Sequence, residues 1–370
     1  MPNCAVIIPI YRDILSEVEK FSMDNNINKL KNHDIYLIMP KTLELVNLCE
    51  YNQLKIERFE DAYFKGYHGY NHLMMSEEFY QRFEKYEKIL ICQYDVWVFE
   101  DRLEYFCNLN YDYIGAPAFL EFNEEGKYRV LPGNGGFSLR DVENILKLLK
   151  THAKERDKWA EAEDKFFSVC AAKYSEEFSM SPLAICVDFA FDRFVSTMYE
   201  WNQGQIPFAI HSWYMRNPWF VCRFMMNDIV NLPDIVKNDK SKEELMKSFY
   251  DFLSRNSTVI LYGAGEWAKI IARALQILNV NIRSFAISNG QNKTEQDIFG
   301  IPVFYWSEIS TIQKRTGVII SIAQRYCSAK EIEELHKNIH ANNIDDILDI
   351  DFQLFSFIEE IVLKRGEQWR

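Results

Sequence analysis

The first half of the chain alternates short, continuous apolar runs with longer stretches whose apolar residues recur every three or four positions. That alternation marks β-α-β units building a mainly parallel sheet. The continuous runs predict strands over residues 4–10, 35–39, 55–59, 88–93 and 111–115, and the periodic stretches predict helices over 14–30, 42–51 and 70–86. Glycine and asparagine cluster at Pro132-Gly133-Asn134-Gly135-Gly136, which predicts a loop, with helices over 141–150 and 164–173 beyond it. A charged segment at 238–244 opens a helix reaching residue 255. After it the alternation restarts, with strands at 258–262, 282–287, 301–304 and 318–323 and helices over 266–278 and 329–339. The pattern divides the chain into an α/β domain over 1–236, a helical linker over 237–256 and a smaller α/β domain over 257–370.

With 370 residues, 48% of them hydrophobic and 26% charged, the chain can bury two real cores, which excludes wholesale disorder. Lys and Arg number 42 against 54 Asp and Glu, a formal net charge of −12 that repels phosphate backbones and anionic lipid, so no nucleic-acid partner is expected. The eight cysteines, at 4, 49, 92, 107, 170, 186, 222 and 327, show no C-x-x-C spacing and sit mostly in apolar runs, which predicts reduced thiols. No apolar run approaches the ~18 residues that span a bilayer, and Met1-Pro2-Asn3-Cys4 leads straight into a strand. A cytoplasmic protein is expected, with at most peripheral association with a membrane-bound pathway; a homo-oligomer is left open.

Four segments can carry chemistry. At the end of an apolar strand stands Gln93-Tyr94-Asp95, where open α/β sheets place ligands and where a carboxylate can hold Mg²⁺ or Mn²⁺ against a diphosphate. Asn134-Gly135-Gly136 offers close backbone approach to a ligand. Glu163-Asp164 puts two carboxylates at a helix start, where one can cap while the other faces a cleft as a general base. His211 follows the apolar run 206–210. Each has a plainer alternative: a capping Asp, an ordinary tight turn, N-capping acids and a satisfied core histidine.

In order and spacing these segments resemble a family of bacterial glycosyltransferases of GT-A-like fold, many of whose members are uncharacterised. The resemblance runs from about residue 4 to 220 and is strongest at 86–99, 111–117, 133–140, 163–168 and 207–213. It implies a nucleotide-diphospho-sugar transferase domain, a nucleotide-diphosphate sugar donor, a glycan or lipid-linked acceptor, Mn²⁺ or Mg²⁺ as cofactor, and a role in surface polysaccharide biosynthesis. Gln93-Tyr94-Asp95 stands where that family has a metal-binding Asp-x-Asp, so here the first acid is replaced. The resemblance further implies Asp164 as the base of an inverting transfer with Glu163 beside it, His211 near the metal or diphosphate, and Asn134, Gly135 and Gly136 lining the sugar and acceptor site. Tyr11 would stack on the base, Arg12 would meet phosphate, and Asn71 would lie on a helix beneath the nucleotide.

In the second domain, Gly263-Ala264-Gly265-Glu266-Trp267-Ala268 follows a strand and opens a helix, the setting of a phosphate-cradling dinucleotide loop. It resembles the Rossmann-like domain found beside sugar acyltransferases. Residues 283–289 carry no acid at the end of the second strand for a ribose, so NAD is not expected there, and a nucleotide, another phosphate or a structural role remains. Two rivals to the transferase reading stand: a sugar-modifying or NAD(P)-dependent enzyme centred on this loop, and a non-catalytic sugar-nucleotide-binding scaffold.

Overall fold

In the computed structural model, residues 3–216, 218–224, 242–309, 315–322 and 329–368 are described. The chain forms two compact units, one of residues 1–119 and 130–238, the other of 120–129 and 239–370. Residues 120–129 thus cluster with the second unit rather than following one cut in the sequence. Residues 237–241, the first part of the expected linker, lie outside the described residues, and the remainder is the helix Lys242–Arg255 of the second unit.

In the first unit β1 (Cys4–Pro9), β2 (Asp34–Pro40), β3 (Lys55–Phe59) and β4 (Lys88–Cys92) run parallel. They are followed in sequence by β5 (Trp97–Val98), β6 (Tyr113–Gly115), the paired strands β7 (Pro117–Phe122) and β8 (Tyr128–Pro132), whose residues 120–129 are counted with the second unit, and β9 (Phe137–Asp141). The main sheet has the order β3-β2-β1-β4-β9-β6, with β9 antiparallel to both its neighbours. Two further short strands, β10 (Ala190–Phe191) and β11 (Ala209–Ile210), join β5 in a small sheet of order β10-β11-β5. This is the expected α/β class.

Both faces of the main sheet are covered, which is why its strands read as unbroken apolar runs. Val6, Ile8, Leu37, Met39, Leu90 and Cys92 point into one core, while Ala5, Ile7, Tyr36, Ile38, Ile89 and Ile91 point into the other. Helix Glu17–Lys29 starts at Ser16 in a capping box, the Ser16 hydroxyl accepting from Glu19 N and the Glu19 carboxylate from Ser16 N.

Three expected elements differ. Residues 42–51 are not a helix, and the Asn47 N to Leu43 O bond that a helix would make is taken at both ends: Arg58 Nη1 donates to Leu43 O, and Asp13 accepts from Asn47 N. Only the 3₁₀ turn Cys49–Gln53 remains helical there. The stretch 70–86 splits into helices Gly66–Met74 and Glu77–Gln81, since Ser76 leaves the first and caps the second by accepting from Phe79 N at 3.2 Å. Residues 137–140, given no element between the loop expected at 132–136 and the helix expected from 141, form β9 together with Asp141, and helix Val142–Thr151 begins only after Asp141 caps it.

The second unit holds β12 (Thr258–Tyr262), β13 (Ile282–Ile287), β14 (Asp297–Ile298), β15 (Ile301–Tyr305), β16 (Thr316–Ile320) and β17 (Ile347–Asp349) in the order β14-β15-β13-β12-β16-β17. All neighbours are parallel except β14 and β15. β17 and the closing helix Phe352–Arg365 were not read from the sequence. The seven described cysteines are free, and Cys327 lies outside the described residues. No described helix is long and apolar enough to cross a membrane.

Candidate functional site

β4 stops at Cys92, one residue earlier than expected, and passes Gln93, Tyr94 and Asp95 to the carboxyl edge of the parallel strands. Gln93 N donates to Gly136 O at 2.9 Å, which ties this corner to the start of β9. Asp95 is buried, and its Oδ1, which accepts no close hydrogen bond, is held in an ion pair with His211 Nε2 at 3.4 Å.

His211 supplies the facing group. Its Nε2 lies 3.4 Å from Asp95 Oδ1 and 3.2 Å from Gln93 Oε1, while Nδ1 lies 3.1 Å from Asp192 Oδ1. Burial opposes charge on this imidazole, but Asp95 and Asp192 outweigh it and raise its pKa to about 10. Asp192 responds in kind: burial would raise it, yet Arg216 and His211 hold it at about 2. Its second oxygen accepts from Asn134 Nδ2 at 3.1 Å, and Asn134 Oδ1 in turn accepts from Gly136 N and Phe137 N. Asp192 therefore braces both the imidazole and the Gly-rich turn, a role the sequence reading missed. Its signal was a lone acid directly after the apolar run at 189–191.

The turn's glycines are needed where it touches these side chains. A Cβ at Gly136 would collide with His211 Nε2, and one at Gly135 with Glu163 Oε1. Gly133 has φ +127° and lies against Ser168, whose hydroxyl donates to Pro132 O at 2.6 Å.

Helix Glu163–Lys173 brings the carboxylate pair, starting one residue earlier than expected and with Ala162, not an acid, at its N-cap. Phe166 and Phe167 anchor it in the core, each worth about 1.5–3 kcal/mol of burial. Neither acid caps the helix. Glu163 accepts from Arg140 Nη2 at 3.0 Å, and Arg140 is fully buried, with Nη1 donating to Tyr80 OH and Nε to Ser138 Oγ. Asp164 Oδ2 accepts from Gly135 N at 3.1 Å and Oδ1 from Lys165 N at 2.8 Å. Burial first, then the Glu163 charge, raise its pKa to about 7. The turn thus touches Asp164 through one glycine and His211 through the next.

Tyr11 and Arg12 leave β1 at the same sheet edge. The Tyr11 hydroxyl bonds that of Tyr94, and Arg12 lies 5.6 and 5.7 Å from those two ring centroids with its Nη2 donating to Glu19 Oε1 at 2.5 Å. Asn71 sits in the second turn of helix Gly66–Met74, its Oδ1 accepting from Glu163 N at 3.3 Å.

Among the described residues, no cluster of three or more His, Cys, Asp and Glu side chains is arranged to hold a metal ion. At the strand end an Asp95 carboxylate oxygen, the Gln93 amide oxygen and the His211 Nε2 converge, donor types that a divalent cation accepts. Asp192 on Nδ1 would orient that imidazole, as carboxylates do for metal-ligating histidines. Cations of this kind commonly take one or two carboxylates and leave the other positions to phosphate and water.

In the second unit, Gly263 has φ +120°, and a Cβ there would meet Ser321 Oγ at 2.9 Å, so its glycine is required by the fold itself. Gly265 is the N-cap of helix Glu266–Ile277, and a Cβ there would meet nothing within 4 Å. At the end of β13, Ser288 Oγ bonds Tyr262 OH and Asn289 Oδ1 accepts from Ser307. His336 and His340, four positions apart on helix Ala329–His340, are separately engaged: His336 Nε2 lies 3.0 Å from Asp349 Oδ1, and His340 Nδ1 3.0 Å from Ile344 O.

A family model described as "Protein of unknown function (DUF5672)" matches residues 53–211, a span that contains Gln93, Asp95, Asn134, Glu163, Asp164, Asp192 and His211. No curated protein matches the chain. Similar solved structures include the glycosyltransferase GlyE of Streptococcus pneumoniae TIGR4, at 14% identity and a TM-score of 0.37, covering 98% of this chain and 89% of that one. Mouse xyloside xylosyltransferase 1 is similar at 9% identity and a TM-score of 0.37, covering 56% and 96%. The galactosyltransferase LgtC, solved with donor and acceptor sugar analogues, is similar at 11% identity and a TM-score of 0.39, covering 65% of this chain and 98% of its own.

Proposed function

We propose that the chain is a glycosyltransferase that moves a sugar from a nucleotide-diphosphate donor to a hydroxyl of a glycan or lipid-linked acceptor, with inversion, in surface polysaccharide synthesis on the cytoplasmic side. The observation that carries this reading is the joining, by one Gly-rich turn, of the strand end that bears Asp95 and its facing His211 to the half-buried Asp164 carboxylate, whose pKa is raised to about 7.

In the proposed reaction the acceptor oxygen bonds the sugar's anomeric carbon as the bond from that carbon to the diphosphate oxygen breaks. The acceptor's proton passes to Asp164, and the nucleoside diphosphate leaves. A carboxylate with a pKa near 7 is suited to take that proton at neutral pH, being roughly half ionised and basic enough to hold it. Glu163, neutralised by Arg140, holds the helix start in place. Asn134, Gly135 and Gly136 line the sugar, Tyr11 faces the base and Arg12 the phosphates.

Mn²⁺ or Mg²⁺ held by Asp95, His211 and Gln93 would neutralise the diphosphate's charge as it leaves. His211 has to give up its proton to serve as a ligand, and the fixed Asp192 carboxylate favours the tautomer that leaves Nε2 free. The second unit is proposed as a Rossmann-like accessory module.

A thermal-shift screen of nucleotide sugars with and without Mn²⁺, followed by donor-hydrolysis assays on the hits, tests the reading. Stabilisation by at least one nucleotide sugar, greater with Mn²⁺ than with chelator, is expected. A blank screen rejects the transferase assignment.

A further inference from the structure

Arg140 stands in β9 with no exposed side-chain surface, and the side chain of its ion-pair partner Glu163 is only 4% exposed. Taking a guanidinium and a carboxylate out of water is expensive, and apolar residues of similar volume commonly serve stability as well or better. The contribution of such a pair lies in what it orients. Each guanidinium nitrogen is placed: Nε donates to Ser138 Oγ and Nη1 to Tyr80 OH, both at 2.9 Å, while Nη2 donates to Glu163 Oε1 at 3.0 Å and to Gly135 O at 3.4 Å. Ser138 Oγ donates to the same Gly135 O at 3.0 Å. Gly135 is thus gripped through its carbonyl by two side chains of β9, and its own N–H donates to Asp164 Oδ2 at 3.1 Å.

The two neighbouring acids are unequally placed. Glu163 is buried and engaged by Arg140, whereas Asp164 keeps part of its surface exposed and accepts from the backbone N–H groups of Gly135 and Lys165. Adjacent carboxylates repel, so a proton goes to the one with the weaker countercharge. Tyr113 of β6 faces Asp164, and Tyr70 and Tyr80 from helices Gly66–Met74 and Glu77–Gln81 face Glu163. Burial pushes all three phenols above their usual range, so they carry no charge at neutral pH. The Lys165 ammonium is paired with Glu161. Arg140 is the cation that bears on both acids.

We infer that Arg140 is a positioning residue of the proposed transfer: it commits Glu163 to an ion pair and fixes Gly135 against Asp164, so that of two adjacent acids Asp164 is the one left to take the acceptor's proton. The identity of that proton rests on the transferase reading. The coupling among the three side chains does not.

The test follows the titration of Asp164 in full-length variants by two readings. One is the acid limb of the pH–rate profile. The other needs no substrate: it is the pH range over which the melting temperature of each chain parts from that of the same chain carrying Asp164→Asn. Arg140→Gln leaves two carboxylates without their countercharge, and both readings should move up by about one pH unit or more. Glu163→Gln leaves the guanidinium facing Asp164 alone, and both should move down by a similar amount. Arg140→Lys keeps the charge but loses the planar fork, so the titration should hold its wild-type place while turnover falls about 10–100-fold. Should Arg140→Gln fail to fold, Glu163→Gln still decides, because its amide oxygen can accept from Nη2. A titration unmoved in Glu163→Gln, with only turnover or melting lowered, would overturn the inference. Wild-type turnover in Arg140→Lys would reject the hold on Gly135. A nucleotide-sugar screen blank in wild type rejects the transferase reading, whereas the melting series alone decides whether Arg140 governs the acid pair.

Discussion

Asp192 and His211 leave two adjacent parallel strands side by side: Phe191 pairs with Ile210 across β10 and β11, and His211 N donates to Phe191 O at 2.8 Å. The contact between their side chains at 3.1 Å is therefore set by backbone register. Slipping either strand by one residue would turn the partner to the opposite face of the ribbon.

Replacing that acid is expected to loosen two things together. In Asp192→Asn, His211 loses the carboxylate that fixes its tautomer, and Mn²⁺-dependent donor stabilisation should weaken by about 10–100-fold in metal affinity. Stability should fall as well. Asp192 titrates near 2 in the fold against ~3.9 unfolded, so its contribution is present above pH ~4 and is lost as pH falls towards 2. Urea midpoints at about pH 7 and pH 3 check this: the gap between wild type and variant should be wider at the higher pH.

Asp95→Ala should abolish the part of donor stabilisation that depends on Mn²⁺ while the protein still folds. The melting temperature of the free protein should fall, because the buried His211 loses one of the two carboxylates that favour its charged form. Equal donor binding by variant and wild type, in metal and in chelator alike, would remove Asp95 from the site.

Asp164→Asn should cost about 10²–10⁴ in turnover with donor affinity kept. The wild-type rate should fall roughly tenfold per pH unit below about 7, where the carboxylate is protonated, and the residual rate of the variant should not show that limb. The stability sign is opposite to that of Asp192. With its folded pKa raised to about 7, Asp164 ionises at a cost that grows between pH ~4 and 7, so the melting temperature of the Asp164→Asn variant should gain on wild type over that window. A pH–rate profile with single-turnover controls, and paired melts at about pH 5 and pH 8, read the two effects.

Gly136→Ala asks for room the imidazole occupies, since the new Cβ would collide with His211 Nε2. The expected result is a folded protein, with far-ultraviolet circular dichroism unchanged, whose Mn²⁺ response is gone. Retained Mn²⁺ response would mean the ring can move aside.

For the second unit, calorimetry of the full chain with NAD⁺ and NADH should show no binding at micromolar concentration. The end of β13 offers Ser288 and Asn289, both engaged in local hydrogen bonds, where a ribose would need a carboxylate. Saturable micromolar binding, abolished by Gly265→Trp, would promote the redox alternative.

What the sequence disclosed follows from how each signal is encoded. Strands such as β1 and β4 were legible because burial on both faces leaves only apolar residues in them, and Asp95, Glu163, Asp164 and His211 were legible as polar residues closing such runs or opening a helix. β9 was hidden by the glycines just before it, which suggest loop although the residues after them pair with β4. The stretch 42–51 has helical spacing, yet Arg58, distant in sequence, takes the Leu43 carbonyl, and no local pattern records that competition. Asp192 escaped because its importance lies in register with a residue nineteen positions later.

The order of residues along the chain has a consequence for biosynthesis. Every strand of the main sheet has been translated by Asp141, while β11, the central strand of the small sheet, and the imidazole that follows it arrive only at Ala209–His211. A nascent chain emerging from the ribosome can therefore pair its main sheet first and complete the strand-end cluster last. Until then Asp95 has no imidazole to face. A chain cut short before residue 209 would carry every strand of the main sheet and lack the imidazole that pairs with Asp95 and Asp192.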